Sequence, residues 1–381
     1  MRYCSNCYYP ETKPDLVFDS KGICSACVAF EKRKKIDWKQ REKDFVNLIG
    51  KFRKKGNYDC IVPVSGGKDS TYQVLKILEY GLNPLCVNAT TCDLSDLGRK
   101  NLENIKSFGV DVVEFAPNKK VRKKLNALGL REIGDISWPE HVGIFTIPVR
   151  MAVLYKVQLI VWGENSQNEY GGPLDRIDSI NLDRKWLEEF GGLIGLRVTD
   201  LIDHHGFKEK ELLPYIYPSY EELEKNKING IFLGQFFQWD GNSNAKIANK
   251  NGFTYYEKLV EGAANNYENL DNYQAGIHDY FKYIKYGFGR ATDIMSNLVR
   301  RKLITRKEGI DKIKKFDGNF PKTYLGKSLK EIIENIEIDT DEFMEICDKF
   351  TNKDLFKVNN KNELIRDENN NLIKKFHDDL K

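Results

Sequence analysis

The residues with the clearest chemical potential form one hexapeptide, Ser65-Gly66-Gly67-Lys68-Asp69-Ser70. It follows a short apolar run and opens a helical pattern. Two glycines let the backbone approach an anion closely, and the start of a helix offers free N–H groups and the positive end of its dipole. The hydroxyls of Ser65 and Ser70 add donors, and Lys68 adds charge unless it points to solvent. This string predicts a cradle for phosphate groups.

The cradle differs from the phosphate loop of kinases and GTPases. That loop needs a glycine where this chain has Val62. Asp69 would repel bound phosphates unless a cation lay between them, so it predicts Mg²⁺. The alternative interpretation is an ordinary Gly-Gly turn before a helix that Asp69 caps. The complete string, at the end of the first strand of an α/β pattern, favours the phosphate cradle.

Four of the eight cysteines are grouped near the start of the chain: Cys4, Cys7, Cys24 and Cys27. Each pair has the spacing Cys-x-x-Cys, and sixteen residues separate the pairs. This pattern is typical of a tetrahedral zinc site, and four thiolate ligands leave no open position. The alternatives are free thiols or an iron–sulfur site. We expect a structural zinc ion that pins the N-terminal segment.

Strands and helices alternate through the middle of the chain. The predicted strands cover 60–64, 84–90, 110–115, 159–162 and 228–233, and the predicted helices cover 70–80, 97–108 and 145–157. The pattern indicates βαβ units and a doubly wound parallel sheet. An amphipathic helix is expected within 37–55, and the chain beyond about residue 240 has a helical pattern.

These elements suggest four segments. Residues 1–30 form the cysteine module, 31–56 a linking helix, 57–235 the phosphate-binding α/β domain, and 236–381 a mostly helical region that covers the active edge of the sheet. The last segment is expected to bind a substrate or a partner.

The charge balance is nearly neutral. The chain has 60 Lys and Arg against 56 Asp and Glu, a net charge of +4, which gives no strong signal for nucleic acid. The basic runs at 32–35 and 122–124 are interpreted as solvated faces. No apolar run reaches the roughly 20 residues that a membrane helix needs. We therefore expect a cytoplasmic protein that acts on neither membranes nor nucleic acid.

The hexapeptide resembles the PP-loop of the ATP pyrophosphatases, which include asparagine, GMP and NAD synthetases and the tRNA-thiolating enzymes. Most of the chain resembles one branch, the N-acetyl sugar amidotransferases of bacterial surface-glycan pathways. The matching segments are 2–7 with 22–27, 64–73, 162–165, 235–240 and, most specifically, 278–293. The resemblance is thinner around 118–145 and after about residue 320.

The resemblance implies a sheet of the adenine-nucleotide α-hydrolase type and an ATP-dependent carbon–nitrogen ligase. ATP would bind the hexapeptide by its β- and γ-phosphates, with Gly163, Val87 and Asn88 near the nucleotide. An acetamido oxygen of an activated or nonulosonic sugar attacks the α-phosphate, and ammonia then displaces AMP to leave an acetamidino group. A separate glutaminase with a cyclase-like subunit would supply the ammonia, because the chain shows no glutaminase module of its own.

Two other functions stay open. A tRNA-thiolating enzyme could also carry Cys-x-x-Cys pairs ahead of the loop, although the remaining cysteines form no further pair. A non-catalytic scaffold that binds ATP would keep the loop without forming AMP.

The segment 278–293 supplies most of the remaining candidates. A helix over about 276–286 places His278, Lys282 and Lys285 on adjoining faces. Either lysine would neutralise charge on the α-phosphate. Two glycines then end the helix before Arg290, whose fork of donors suits phosphate or carboxylate. Asp293 is a Mg²⁺ ligand, a helix cap or a partner of Arg290, and His278 and Asp293 are also taken as substrate contacts.

Two more pairs of residues are candidate substrate contacts. Glu164 and Asn165 follow a predicted strand end, where α/β proteins collect ligands. Trp239 would stack on a sugar that Asp240 hydrogen-bonds, or else Trp239 is a core residue.

Overall fold

The central sheet consists of five parallel strands. The computed structural model describes residues 1–53, 57–165, 171 and 196–375. The strands are β1 (Cys60–Pro63), β2 (Pro84–Ala89), β3 (Asp111–Phe115), β4 (Leu159–Trp162) and β5 (Asn229–Phe232). Their order in space is β3-β2-β1-β4-β5. The predicted α/β parallel sheet is confirmed, and the order reverses between β1 and β4, where such sheets bind ligands.

Both faces of the sheet are covered by apolar side chains. Val62 and Val161 enter the cluster on one face, whereas Ile61 and Ile160 enter the cluster on the other. Burial on both faces explains why the strands are continuous apolar runs rather than alternating patterns. Cys60 belongs to the first cluster, as its place in a predicted strand suggested.

Helices flank this sheet along the first two thirds of the chain. The described ones are α1 (Ser25–Arg33), α2 (Trp38–Gly50), α3 (Lys68–Glu79), α4 (Asp96–Lys106), α5 (Lys119–Ile133), α6 (Trp138–Tyr155), α7 (Val198–His205), α8 (Glu209–Leu212) and α9 (Tyr220–Asn226). Helices α2, α3 and α4 pack on one face of the sheet, and α6 packs on the other.

The basic run at 122–124 was misjudged as a solvated face, since α5 buries Arg122. Its Nη1 donates to Glu140 Oε1 (2.9 Å) and to the carbonyl of Thr90 (3.0 Å), and its Nε donates to the Tyr215 hydroxyl (2.7 Å). These partners come from three other segments, so local spacing could not reveal them. Helix α6 also begins seven residues before its predicted start, because Pro139 lies in the first turn, where proline is tolerated. A second proline, Pro148, lies inside the helix.

The C-terminal region is helical, as predicted. Its helices are α10 (Gly241–Lys250), α11 (Ala275–Tyr286), α12 (Arg290–Arg300), α13 (Arg306–Phe316), α14 (Leu329–Glu334) and α15 (Thr340–Phe350), with a short antiparallel pair, β6 (Thr323–Tyr324) and β7 (Lys327–Ser328). It has its own core, which includes Phe281 and Phe343. Among the described residues, no helix combines the length and apolar character that crossing a membrane requires.

The C-terminal region is hydrogen-bonded to helix α4, which packs on the sheet, and to the residue that precedes this helix. Asn101 donates to the Thr254 carbonyl (3.0 Å) and accepts from the Thr254 N–H (2.7 Å). The Ser95 N–H donates to the carbonyl of Asp271 (3.1 Å). These contacts hold the segment before α11 beside the carboxyl edge of the sheet.

Candidate active site

The hexapeptide forms the turn between β1 and α3. Gly66 has a φ of +87°, and a Cβ there would lie 3.0 Å from the backbone nitrogen of Leu102 and 3.1 Å from the carbonyl of Gly98. Only glycine fits this position, because both the left-handed backbone and the neighbouring helix exclude a side chain. Within the described residues, no side chain caps α3 at Gly67. The first turn of α3 therefore keeps N–H groups that no cap residue occupies.

Lys68 is buried and points into the site rather than to solvent. It is 7 % exposed, and its Nζ lies 2.7 Å from Asp69 Oδ2 and 2.8 Å from Glu268 Oε1. Burial opposes its charge, but the two carboxylates raise the pKa of Lys68 above its ordinary value. Asn244 Nδ2 donates to the other oxygen of Asp69 (2.8 Å). The loop thus holds a fixed ammonium group beside the start of α3.

Several predicted residues line one cleft with this lysine. The loop cleft is lined by Lys68, Asp69, Glu164, Asp240, Gly241, Asn242, Tyr267, Glu268, Arg290, Asp293, Ile294, Asn297 and Leu298. Lys68, Asp69 and Glu164 lie at the carboxyl edge of the sheet, and the remaining residues belong to the C-terminal region. The cleft therefore joins the predicted phosphate loop to residues that lie 170 or more positions later in the sequence.

Asp293 is a junction of three contacts. The Tyr9 hydroxyl donates to its Oδ1 (3.0 Å), Lys282 Nζ bonds to its Oδ2, and Arg290 Nη1 lies 3.9 Å from the same oxygen. The pairing with Arg290 that the sequence suggested is present, whereas the helix-cap interpretation is wrong. Asp317 instead accepts the N–H groups at the start of α12. Asp293 thereby links the N-terminal segment to α11 and α12.

Arg290 is held in place by Asp279. Its Nε and Nη2 donate to the two carboxylate oxygens at 3.1 and 2.9 Å. Burial alone would raise the pKa of Asp279, but the charges of Arg290 and Lys282 lower it to about 2. As predicted, α11 ends before a left-handed Gly287 and α12 begins at Arg290. The guanidinium is therefore fixed at a wall of the loop cleft.

Lys285 and Trp239 are among the predicted residues that do not line the loop cleft. Lys285 Nζ donates to the carbonyl of Ile133 (2.5 Å) and lies over the Phe350 ring. The side chain of Trp239 is 3 % exposed and packs edge-on against Tyr72 in the sheet's core. Lys285 lies three residues beyond Lys282 on α11, and its contacts with Ile133 and Phe350 direct it away from the cleft. Trp239 follows the core interpretation rather than the sugar-stacking one.

The other predicted nucleotide contacts lie at the carboxyl edge of the sheet. Asn88 Nδ2 donates to the Val64 carbonyl (2.8 Å), so it ties the end of β2 to the loop, and Val87 is buried beside it. Gly163 follows β4, and a Cβ there would lie 3.0 Å from the Trp239 ring. The neighbouring Asn165 is buried.

His278 lies in a different group of residues. Its Nδ1 is 2.9 Å from Asp135 Oδ1, and its ring meets the ring of His141 at a centroid distance of 4.9 Å. Sequence analysis did not identify Asp135 or His141. It also missed Glu268, Asn244 and Asp279, since no local pattern connects these residues to their partners.

The four N-terminal cysteines converge as their spacing predicted. All four are buried, and the Sγ–Sγ distances are 3.5 Å between Cys7 and Cys24 and 3.9 Å between Cys4 and Cys27. A tetrahedral ion with metal–sulfur bonds of about 2.3 Å separates its sulfurs by about 3.8 Å, so the four thiolates fit a metal such as zinc. Asn6 Nδ2 also donates to Cys27 Sγ (3.3 Å).

This cysteine module packs against the C-terminal helices. Tyr8 lies in one apolar cluster with Ala291 and Met295 of α12, and Arg300 Nη2 lies 3.9 Å from Cys7 Sγ. The Thr12 hydroxyl donates to the carbonyl of Tyr286 (2.6 Å). The module therefore supports the helices that carry Arg290 and Asp293.

Two solved structures align with much of the chain at low identity. NMN synthetase from Francisella tularensis covers 57% of this chain and 87% of its own length, with 11% identity and a TM-score of 0.27. A structure from Methanocaldococcus jannaschii, described as a "predicted subunit of tRNA methyltransferase", covers 61% and 91%, with 12% identity and a TM-score of 0.28.

Sequence comparison gives two further results. The uncharacterized protein MJ1599 of Methanocaldococcus jannaschii is 31% identical over 115 residues, which are 29% of this chain and 41% of that protein. The chain thus spans about two fifths of the length of this curated relative. Residues 253–368 match the family described as "LPS biosynthesis protein WbpG-like, C-terminal domain". Over residues 253–368 the resemblance to surface-glycan enzymes is confirmed by similarity to a WbpG-like C-terminal domain.

Proposed function

We propose that this protein is an ATP-using enzyme of bacterial surface-glycan biosynthesis. The observation that carries the proposal is the composition of the loop cleft. Lys68 and Asp69 enter it from the phosphate-type loop, and Glu268, Arg290 and Asp293 enter it from the WbpG-like domain. One cleft thus joins a nucleotide-type loop to a domain related to lipopolysaccharide biosynthesis.

The reaction that we propose converts an acetamido group of an activated sugar into an acetamidino group. The amide oxygen attacks the α-phosphate of ATP, an oxygen–phosphorus bond forms, and pyrophosphate leaves. Ammonia then attacks the imidate carbon, the carbon–oxygen bond breaks, and AMP leaves with the former amide oxygen and a proton is released. Adenylation replaces a poor leaving group by a good one, as covalent catalysis does elsewhere. The resemblance of residues 278–293 to the sugar amidotransferases supports this chemistry.

The residues of the loop cleft suit this division of roles. The N–H groups at the start of α3 and the ammonium of Lys68 would bind the β- and γ-phosphates. Arg290, oriented by Asp279, would stabilise charge that develops at the α-phosphate. Lys282, held by Asp293, is the second cation near that wall.

Two metals belong to the proposal. The carboxylates of Asp69, Glu164 and Glu268 give the loop cleft hard oxygen donors, which fit Mg²⁺ carried in with ATP, and the ion would neutralise phosphate charge. The four N-terminal thiolates fit a structural zinc ion. Ammonia would come from a separate glutaminase with a cyclase-like subunit.

The chemistry of the other cysteines disfavours tRNA thiolation. Cys60, Cys86 and Cys347 are buried, and burial with the nearby Glu140 charge raises the pKa of Cys92 to about 12. A sulfur carrier needs an accessible thiolate. None of these four thiols meets that need.

Product analysis with a panel of sugars tests the proposal. Purified protein is incubated with ATP, Mg²⁺, ammonium and UDP- or CMP-linked diacetamido sugars, and nucleotides and sugar masses are followed. We expect AMP and pyrophosphate with one sugar, whose oxygen is replaced by an imino group. Arg290→Gln should abolish the reaction, whereas Arg99→Gln, which breaks a surface pair with Glu114, should leave it intact. ADP as the product would contradict the proposal. AMP formed only with tRNA and a sulfur donor would indicate thiolation. ATP binding without turnover would indicate a scaffold.

A further inference from the structure

Asp135, His141 and His278 meet at a site that the proposed reaction does not use. Asp135 lies in the turn between α5 and α6, His141 in the first turns of α6, and His278 in the first turn of α11. His278 Nδ1 is 2.9 Å from Asp135 Oδ1, and His141 Nδ1 is 3.3 Å from Asp135 Oδ2. Three separate segments therefore direct an imidazole, a second imidazole and a carboxylate to one point.

One oxygen of this group lacks a hydrogen bond. Asp135 is 3 % exposed, and its Oδ1 accepts the backbone N–H of Ser137 at 2.9 Å. Its Oδ2 makes no hydrogen bond to any described residue, although His141 Nδ1 lies near it. A buried carboxylate oxygen without a donor is costly unless a cation compensates it. This oxygen lies beside His141, and the other oxygen of the same carboxylate lies beside His278.

The donor set is that of a transition-metal site. One ligand atom from each of the three residues can be chosen so that all lie within 4.8 Å of one another. Two imidazoles and one carboxylate are typical ligands of zinc and of non-haem iron, and they leave coordination positions open for water or a ligand. The histidine side chains are 31 % and 24 % exposed, so an ion could enter.

The geometry differs from that of the other histidines. His204 and His205 are adjacent and exposed at the end of α7, where their placement offers no converging carboxylate among the described residues. Among the histidines that the structure describes, only His141 and His278 share a buried acid.

We propose that Asp135, His141 and His278 bind one divalent transition-metal ion, with zinc as the expected occupant. This ion is separate from the metal of the four cysteines and from the Mg²⁺ that accompanies ATP. Three protein ligands make it an open site, unlike the closed cysteine site.

Metal analysis of variants tests this proposal independently of enzymatic activity. Wild-type protein, His141→Ala, His278→Ala and the control His204→Ala are loaded with zinc, passed through a desalting column and analysed by mass spectrometry. Wild type and control should retain one more equivalent of zinc per chain than either site variant, while circular dichroism spectra stay alike. Equal zinc content in all four proteins would overturn the proposal.

Anomalous diffraction from wild-type crystals gives a second test that needs no variant. Data collected on both sides of the zinc absorption edge should give one peak among the four cysteines and another among Asp135, His141 and His278. Crystals soaked with iron(II) or manganese(II) in place of zinc show which ion the second position prefers. A cysteine peak without any peak at the second position, in all soaks, would refute the site.

Discussion

Cations in or beside the loop cleft are paired with carboxylates of other residues. The pairs are Lys68 with Glu268, Arg290 with Asp279, and Lys282 with Asp293. Each cation is thereby oriented before any anion arrives, and removal of one partner leaves an uncompensated charge. At the scale of single residues, the site is therefore an arrangement of paired charges.

Replacement of Lys68 should weaken nucleotide binding. Lys68→Gln removes the ammonium and leaves Asp69 and Glu268 facing each other near the phosphates. A charge-assisted hydrogen bond contributes about 1.5–3 kcal/mol, so the Kd for MgATP should rise by about tenfold or more. Isothermal titration calorimetry measures this change. Lys76→Gln on the same helix, where the lysine pairs with Glu79, is the control and should bind normally; equal affinities in both variants would rule out the role of Lys68.

The Asp279–Arg290 pair should make stability depend on acid pH. Because the folded-state pKa of Asp279 is about 2, below its ordinary value of 3.8, its contribution is present above about pH 4 and is lost as the pH falls towards 2. Asp279→Asn should lower the free energy of unfolding by about 3 kcal/mol at pH 7, because Arg290 loses its partner. About 2 kcal/mol of this difference depends on the ionisation of Asp279.

Urea unfolding from pH 7 down to pH 3 measures that difference. The gap between wild type and Asp279→Asn should begin to narrow below about pH 4. Asp311→Asn, an exposed acid of α13, should stay close to wild type throughout. A gap that remains constant down to pH 3 would show that the charge of Asp279 does not support the fold.

At the scale of elements, strands were predicted more accurately than helices. The strand predicted at 159–162 is found at Leu159–Trp162, and the other four agree within two residues at each end. Buried strands are short apolar runs that end at turn residues, so composition alone locates them. Helix α5 was missed, because its basic residues suggested a solvated face and its buried Arg122 depends on distant partners.

The candidate site was predicted where a local motif or a segment of the resemblance marks its residues. The hexapeptide and the four cysteines are each recognised by their own spacing. In the structure the hexapeptide forms one turn, and the four cysteines converge at a separate place. Glu268 and Asp135 gave no signal, since each acts on a partner at least six positions away, and Glu268 is 200 residues from Lys68. Lys285 and Trp239 were chosen by position in a motif, which does not fix the direction of a side chain.

The turn between β1 and α3 should tolerate no side chain at Gly66. Gly66→Ala combines a left-handed φ with contacts of 3.0–3.1 Å to the backbone of α4. Strain of this kind costs about 1–3 kcal/mol. Gly50→Ala, at the end of α2 with nothing within 4 Å of the new Cβ, should instead stabilise the protein by up to about 1 kcal/mol. Thermal unfolding compares the two; a Gly66→Ala protein as stable as Gly50→Ala would contradict the close packing of the loop.

At the scale of the whole molecule, three parts of the chain meet near Asp293. The cysteine module supplies Tyr9, and the C-terminal region supplies Lys282 and Arg290. Lys68, at the start of α3, lines the loop cleft together with Asp293. Residues remote in sequence thus depend on one another for position. Disruption of the cysteine module should therefore loosen the structure at the loop cleft.

Loss of one cysteine ligand should loosen helix α12. Because Cys24→Ser weakens metal binding, we expect amide hydrogen exchange in residues 1–33 to become faster by about tenfold or more. Exchange in α12 should become faster as well, since Tyr9 and Arg300 connect the module to that helix. Exchange in α6 should not change. Cys92→Ser, outside the module, serves as the control in the same mass-spectrometric measurement. Normal protection of α12 in Cys24→Ser would show that the module does not support the cleft.

The fate of the amide oxygen tests the central claim most directly. The sugar that supports AMP formation is labelled with oxygen-18 in its acetamido carbonyl and incubated with the protein, MgATP and ammonium. If that oxygen attacks the α-phosphate in the loop cleft, the label must appear in the phosphoryl group of AMP, and pyrophosphate must remain unlabelled. Label found in inorganic phosphate together with ADP, or unlabelled AMP alongside an amidinated sugar, would contradict the account.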